Sequence, residues 1–227
     1  MDGDAIASEP AFPEIIGARL HSGGISDSSE LIEPKECTMT IWYTADTHFG
    51  HENIMRFCNR PFVSASQMDA AMLENMWKVV GSEDQLWILG DFAFGSKAKD
   101  CAYVEQIFKQ LPGAERHLVV GNHDHNPTLE LPWDSVSHIA ELRDGPQNQF
   151  NTLCHYPMIT WNHARRDALQ FFGHVHDNWR GSRNSVNVGV DVWNFMPVTF
   201  ADIARRAKKL PPNKHWGDVE HGAEIST

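Results

Sequence analysis

Hydrophobic residues along the chain fall into two patterns. Short, nearly continuous apolar runs predict buried strands at Thr40–Ala45, Gln85–Leu89, His117–Val120, Asn151–Cys154, Leu169–Phe172 and Ser185–Val188. Between some of them, apolar residues recur at helical spacing. Met68, Met72, Met76 and Val79 line one face of a helix over Ser64–Val80, with Ser64 as its N-cap and Gly81 as its stop. A second helix is expected over Ser96–Leu111. It would face Ala98, Ala102, Ile107 (or Val104) and Leu111 inward and end at Pro112-Gly113. A third, over Thr199–Leu210, is capped by Thr199 and runs into Pro211. Strand–helix alternation early and strand-rich sequence later predict an α/β (α+β) sandwich.

Outside these patterns the composition changes. Residues 1–37 are rich in Gly, Ser, Pro and acids and predict a flexible acidic extension, with at most one short ordered segment around Ile15 and Ile16. Residues 211–227 predict a C-terminal tail, which leaves 38–210 as the folded domain. The formal net charge of −11 speaks against a general nucleic-acid or anionic-membrane binder. Much of that charge sits in the extension, however, where eight acids face only Arg19 and Lys35. The body is nearly neutral, so polyanionic substrates stay open. Positive pairs at Arg205-Arg206 and Lys208-Lys209 suit the last turns of a helix better than a nucleic-acid patch. The four cysteines are scattered and fit free thiols. No apolar stretch approaches the ~20 residues that span a bilayer. The opening Met-Asp-Gly-Asp-Ala lacks the basic start of a signal peptide, so a cytoplasmic location is expected.

Five of the apolar runs end alike, with metal-competent side chains just beyond the last hydrophobic residue. Ile41-Trp42-Tyr43 leads to Asp46-Thr47-His48, and Leu86-Trp87-Ile88-Leu89 to Gly90-Asp91. Leu118-Val119-Val120 leads to Gly121-Asn122-His123-Asp124, Leu153-Cys154 to His155, and Phe171-Phe172 to Gly173-His174-Val175-His176. Strand tips of an α/β sheet converge on one crevice. Glycine before a ligand allows a sharp turn and close backbone approach. Asp, Asn and His make a mixed oxygen and nitrogen set suited to Mn²⁺, Fe, Zn²⁺ or Ni²⁺, with Mn²⁺ preferred. Seven ligands exceed the needs of one ion, whereas two divalent metal ions sharing a carboxylate would use them all. Each block alone is a weak signal, since a lone Asp-x-His is usually a surface turn; five in one order are not.

The ordered set Asp-x-His, Gly-Asp, Gly-Asn-His-Asp, His, Gly-His-x-His resembles the calcineurin-like metallophosphoesterase superfamily over about Thr38 to Pro197. Asp46–Ile54, Phe57–Phe62 and Asn187–Asp191 are similar to its small stand-alone bacterial members. The resemblance implies a four-layer sandwich of two mixed β-sheets flanked by helices, with a dimetal site at one edge. It implies one ion on Asp46, His48 and His176, a second on Asn122, His155 and His174, and Asp91 bridging. His123 corresponds to the family's catalytic histidine near the leaving group, and Asp124 to an acid that fixes an imidazole or the loop. Gly90-Asp91-Phe92-Ala93 lacks the polar residue that nucleases of the superfamily place after the bridging Asp.

The expected reaction is hydrolysis of a phosphodiester or phosphomonoester, with hydroxide formed between the ions attacking phosphorus and His123 assisting the departing oxygen. His51, Asn53, Arg56 and Arg60 follow the first block and are candidates to touch a substrate phosphate. A structural ion pair is the competing role for the two arginines. Competing functions are a nuclease acting on DNA or RNA and a catalytically silent metal-bound binding protein. Complete ligand blocks and an intact His123 weigh against the last. The block spacing leaves no room for a cap domain, so extended substrates also fit.

Overall fold

The computed structural model describes residues 39–220. The expectations for residues 1–37 and for the last seven residues lie outside them. Nine strands form two mixed sheets. The first contains β1 (Ile41–Thr44), β2 (Gln85–Ile88), β3 (Glu115–Val119) and β4 (Ser135–Ser137), all parallel, with β9 (Val198–Thr199) antiparallel on β1. The second has β5 (Ile139–Arg143) antiparallel to β6 (Phe150–Cys154), followed by parallel β7 (Leu169–Phe172) and β8 (Ser185–Asn187). The helices are α1 (Ile54–Phe57), α2 (Ala65–Val79), α3 (Cys101–Phe108), α4 (Asn126–Leu129), α5 (Phe200–Ala207) and α6 (Trp216–Val219). Two mixed sheets flanked by helices are the expected architecture.

Side-chain alternation along the central strands explains why they read as continuous apolar runs. Leu86, Ile88 and Leu118 face one way, onto Met68, Met72 and Met76 of α2 and Val104, Ile107 and Phe108 of α3. Their neighbours Leu89 and Val119, with Tyr43 of β1, face the other way, onto Leu153, Phe171, Val186 and Val188 of the second sheet. A parallel strand buried on both faces has no polar side to show. Phe200, Ile203 and Ala207 of α5 join the cluster between the sheets. Each fully buried Met or Leu contributes ~1.5–3 kcal/mol by leaving water.

The helix ends follow local chemistry. Ser64 caps α2 by accepting from the Gln67 N–H, as expected, while the helix stops at Val80, whose backbone turns extended. Thr199 and Asp202 form a reciprocal capping box on α5. The second predicted helix is shorter than expected. Lys97–Lys99 form a 3₁₀ turn, and Asp100 rather than Ser96 caps α3 through the Ala102 and Tyr103 N–H groups. This moves the inward face to Val104, Ile107 and Phe108 and leaves Ala102 exposed. At the other end, order continues past residue 210: Trp216 of α6 is buried against Trp161, Ala164 and Ala168.

Register brings the strand tips level. Thr44 pairs with Ile88 and Ile88 with Leu118, so residues placed two to four beyond them emerge together. An isolated parallel bridge from Ala45 to Gly189 joins the tip of β1 to the segment after β8, across the two sheets. The crevice lies where these tips meet.

Candidate metal centre

Five of the seven expected ligands sit in left-handed backbone. Their φ values are +56° for Asp46, +50° for His48, +55° for Asp91, +70° for His174 and +50° for His176. Non-glycine residues adopt this region seldom, at a cost of ~1–3 kcal/mol each, and such strain collects at functional sites. Cross-bonding between the loops sustains it. The His48 N–H donates to the Asp91 carbonyl (2.9 Å), and the Asp46 N–H to Gly90 (3.0 Å). The His174 N–H donates to the Asp46 carboxylate, and the His123 N–H to Asp91 Oδ1, each at 2.9 Å. The buried Asp124 carboxylate accepts from the N–H groups of Gly121, Asp91 and Phe92 at 2.8–2.9 Å. It therefore ties the third loop to the second. The glycines before the ligands serve close approach: a Cβ at Gly90 would lie 2.3 Å from His155 Nδ1, and one at Gly121 2.4 Å from Asp91 Oδ1.

The side chains brought together suit divalent cations. Ligand atoms of Asp46, His48 and His176 lie within 4.8 Å of one another, as do those of Asp46, Asp91 and His155. His48 is 2% exposed, yet neither ring nitrogen has a hydrogen-bond partner. A buried unpaired imidazole is costly unless a lone pair is taken up by a metal. Burial pushes the His48 pKa well below its ordinary value, which keeps the ring in the neutral form a metal needs. Burial pushes the Asp46 carboxyl up to about 6, an environment in which a nearby cation is favourable. Asp91 is equally enclosed, but His155, His48 and the His123 N–H outweigh burial and hold it at about 2. His155 Nδ1 sits 2.8 Å from the Leu89 carbonyl, which can only accept, so Nδ1 carries the proton. That turns Nε2 towards the site, 3.2 Å from Asn122 Oδ1 and 3.5 Å from Asp91 Oδ2. The His174 ring stands beside His155, with centroids 5.2 Å apart.

Behind His176 lies a pairing that the sequence does not announce. Asp191 accepts from His176 Nδ1 at 2.8 Å and grips Arg60 through both carboxylate oxygens at 2.7 and 2.9 Å. Arg60 is 4% exposed and also donates to the carbonyls of Asp46 (2.7 Å) and Thr47 (3.0 Å). Its donors are committed inside the protein. It forms a structural ion pair that holds the first ligand loop, the second of the two roles that the sequence left open for it. Burial opposes protonation of His176, but Asp191, the Cys58 thiol and Asp46 push it up to about 10. Asp191 joins His176 to Arg60, a placement that no sequence motif predicts. Its only local signal is the Asn187–Asp191 block, which carries no role by itself.

The remaining expected residues are distributed as follows. The His51 ring joins the cluster, 5.5 Å from that of His48, with Nδ1 buried and unpartnered. Asn53 and Arg56 are exposed, and the Arg56 guanidinium lies over the Phe57 ring. His123 is half-buried, its ring 4.0 Å from Phe94 and 5.6 Å from His48 between centroids. His125 is exposed at the start of α4.

Replacing Asp191 tests the support of His176. Asp191→Asn should lower Mn²⁺ affinity ~10–100-fold at one site, the usual effect of losing the carboxylate behind a ligating histidine. Calorimetric titration measures it, and unchanged affinity would mean that Asp191 only balances Arg60.

Residues 39–198 match the sequence model of the calcineurin-like phosphoesterases. Protein MJ1445 of Methanocaldococcus jannaschii is 28% identical over 169 residues, covering 74% of this chain and 92% of that protein. The Gene 66 protein of Mycobacterium phage L5 is 26% identical over 182 residues, covering 67% of this chain and 86% of the phage protein. Among solved structures, AQ665 from Aquifex aeolicus, a protein of unknown function, is 26% identical. It superposes with a TM-score of 0.59, covering 74% of this chain and 100% of that one. The match spans most of the chain and takes in the strand tips that gather these ligands, and on it the chain belongs to the calcineurin-like phosphoesterase family.

Proposed function

We propose that the chain is a dinuclear metal-dependent phosphoesterase that hydrolyses a phosphodiester or phosphomonoester, with His123 serving the leaving group. The position of Asp91 supports this most directly. Its Oδ2 lies 3.5 Å from Nε2 of His48 and 3.5 Å from Nε2 of His155, between the two ligand groups. Asp46, His48 and His176 would hold one ion, and Asn122, His155 and His174 the other, with Asp91 shared. The mixed oxygen and nitrogen donors admit Mn²⁺, Fe, Zn²⁺ or Ni²⁺, and Mn²⁺ is the ion taken for the reading. Divalent ions supply positive charge to the phosphoryl oxygens and acidify water near neutral pH.

The protein's own groups do the rest. Asp124 fixes the Asp91 and Asn122 loops to one another. The Leu89 carbonyl selects the tautomer of His155, and Asp191 orients His176. His123 is anchored by its backbone N–H on Asp91, which places its imidazole at the mouth of the cluster. Hydrolysis breaks the phosphorus–oxygen bond to the leaving group and adds the oxygen of water to phosphorus. His123 delivers a proton to the departing oxygen and is reprotonated from the water consumed. His51, Asn53 and Arg56 remain available to steer phosphate oxygens into the site. All these residues fall between 46 and 191, inside the domain proposed at 38–210. Free thiols at Cys58, Cys101 and Cys154 suit a reducing cytoplasm. No helix among the described residues is long and apolar enough to cross a membrane.

Turnover of nitrophenyl phosphate monoesters and diesters with added Mn²⁺ tests the reading. Activity should disappear with a chelator and return with Mn²⁺ in excess. A protein that binds metal but turns over no ester across a panel of divalent ions would be a binding protein instead.

A further inference from the structure

A cavity of about 520 Å³ opens against His123 and Phe94, beside the ligand cluster but built from other residues. One wall is the segment after Asp91, with Phe94, Ala98 and Lys99. The other is the segment after Asn122, with His123, His125 and Pro127. Its lining is mostly apolar, and Lys99 and His125 are exposed. The Phe94 ring packs on His51 and His123, with centroids 4.7 and 4.0 Å away. The wall of the cavity and the imidazoles of the site are therefore one packed unit.

We infer that this cavity is the subsite for the leaving group, and that the leaving alcohol carries a flat ring, as a nucleoside does. The inference rests on the phosphoesterase reading and on the role of His123 within it. The oxygen that receives a proton from His123 is bonded to the rest of the leaving group, and the space lined by His123 is where that group extends. The cavity volume falls within the ~300–1,000 Å³ of small-molecule sites, so a short alkyl chain would leave most of it unfilled. Phe94, Ala98 and Pro127 offer apolar lining against which a ring can pack. Lys99 offers a cation to polar or anionic substituents on it.

The test compares two leaving groups with the same primary-alcohol oxygen, ethyl and 2-(1-naphthyl)ethyl, each as a phosphate monoester and as a methyl diester, with Mn²⁺ in excess. The naphthylethyl ester should show kcat/KM at least about tenfold higher, the scale on which an apolar pocket discriminates. Naphthylethanol, but not ethanol, should inhibit nitrophenyl ester hydrolysis competitively. Ala98→Phe fills the cavity and should bring the naphthylethyl ester down towards the ethyl ester. The wild-type comparison stands by itself should that variant fold poorly. Equal kcat/KM for the two leaving groups, or nitrophenyl turnover insensitive to naphthylethanol, overturns the subsite and leaves the phosphoesterase reading intact. Absence of turnover for every ester, nitrophenyl included, overturns that reading and the subsite with it.

Discussion

Asp91→Asn should strip both ions from the protein and lower kcat/KM by on the order of 10³-fold or more. Charge stabilisation by bound metal is worth several kcal/mol, and each ~1.4 kcal/mol is a factor of ten in rate. The substitution keeps the size of the side chain and one acceptor oxygen, so the hydrogen bond from the His123 N–H can persist. It removes the negative charge that lies 3.5 Å from both His48 and His155 and can turn an amide N–H₂ towards their nitrogens. The backbone should stay in place, because Asp124 holds the Asp91 and Phe92 N–H groups from the other side. Loss should therefore appear in metal content before it appears in melting temperature. Asn122→Ala is the contrast: Asn122 Oδ1 lies 3.2 Å from His155 Nε2, and its removal should weaken one site. Elemental analysis of both variants separates the cases. Two ions per chain at ordinary affinity in Asp91→Asn would remove Asp91 from the bridging position.

Much of the centre can be read from the chain because ligand position and strand position are coupled. Asp46, Asp91, Asn122, His155 and His174 each follow a strand buried on both faces, and such strands stand out as unbroken apolar runs. Parallel pairing then puts their carboxyl ends side by side without further information. The elements that escaped notice lack that coupling. β4 and β5 lie at sheet edges, Val136 and Ile139 are exposed, and neither strand makes an unbroken apolar run. The lysines of the 3₁₀ turn at Lys97–Lys99 suit a helix equally well, which obscured the start of α3 at Cys101. Arg60 and Asp191 are the instructive pair. They are 131 residues apart, and no local rule joins them. From the sequence, an arginine near a phosphate site reads either as a phosphate ligand or as a structural partner. Burial supports the second: a guanidinium 4% exposed with a carboxylate on its fork is a strut for the first ligand loop.

His123→Asn should separate proton donation from metal binding, because His123, unlike His48, His155, His174 and His176, is given no metal to hold. Asparagine retains the backbone N–H on Asp91 Oδ1, so both ions should stay at ordinary affinity. Losing the ring removes contact with Phe94 but leaves the metal ligands untouched. A general acid matters in proportion to how badly the leaving oxygen needs a proton, and contributes ~10²–10⁴-fold where the need is full. A nitrophenolate departs readily as the anion, whereas an alkoxide does not. Hydrolysis of an alkyl ester should therefore fall by ~10²-fold or more, and that of the nitrophenyl ester by less than about tenfold. His155→Asn supplies the opposite pattern: it removes the Nε2 lone pair held in place by the Leu89 carbonyl, weakens one metal site, and should slow both esters together. Measured at saturating Mn²⁺ and under conditions where chemistry limits turnover, the ratio of the two losses reports the role of each residue. Equal losses for the two leaving groups in His123→Asn would show that its imidazole positions the phosphate and does not deliver a proton.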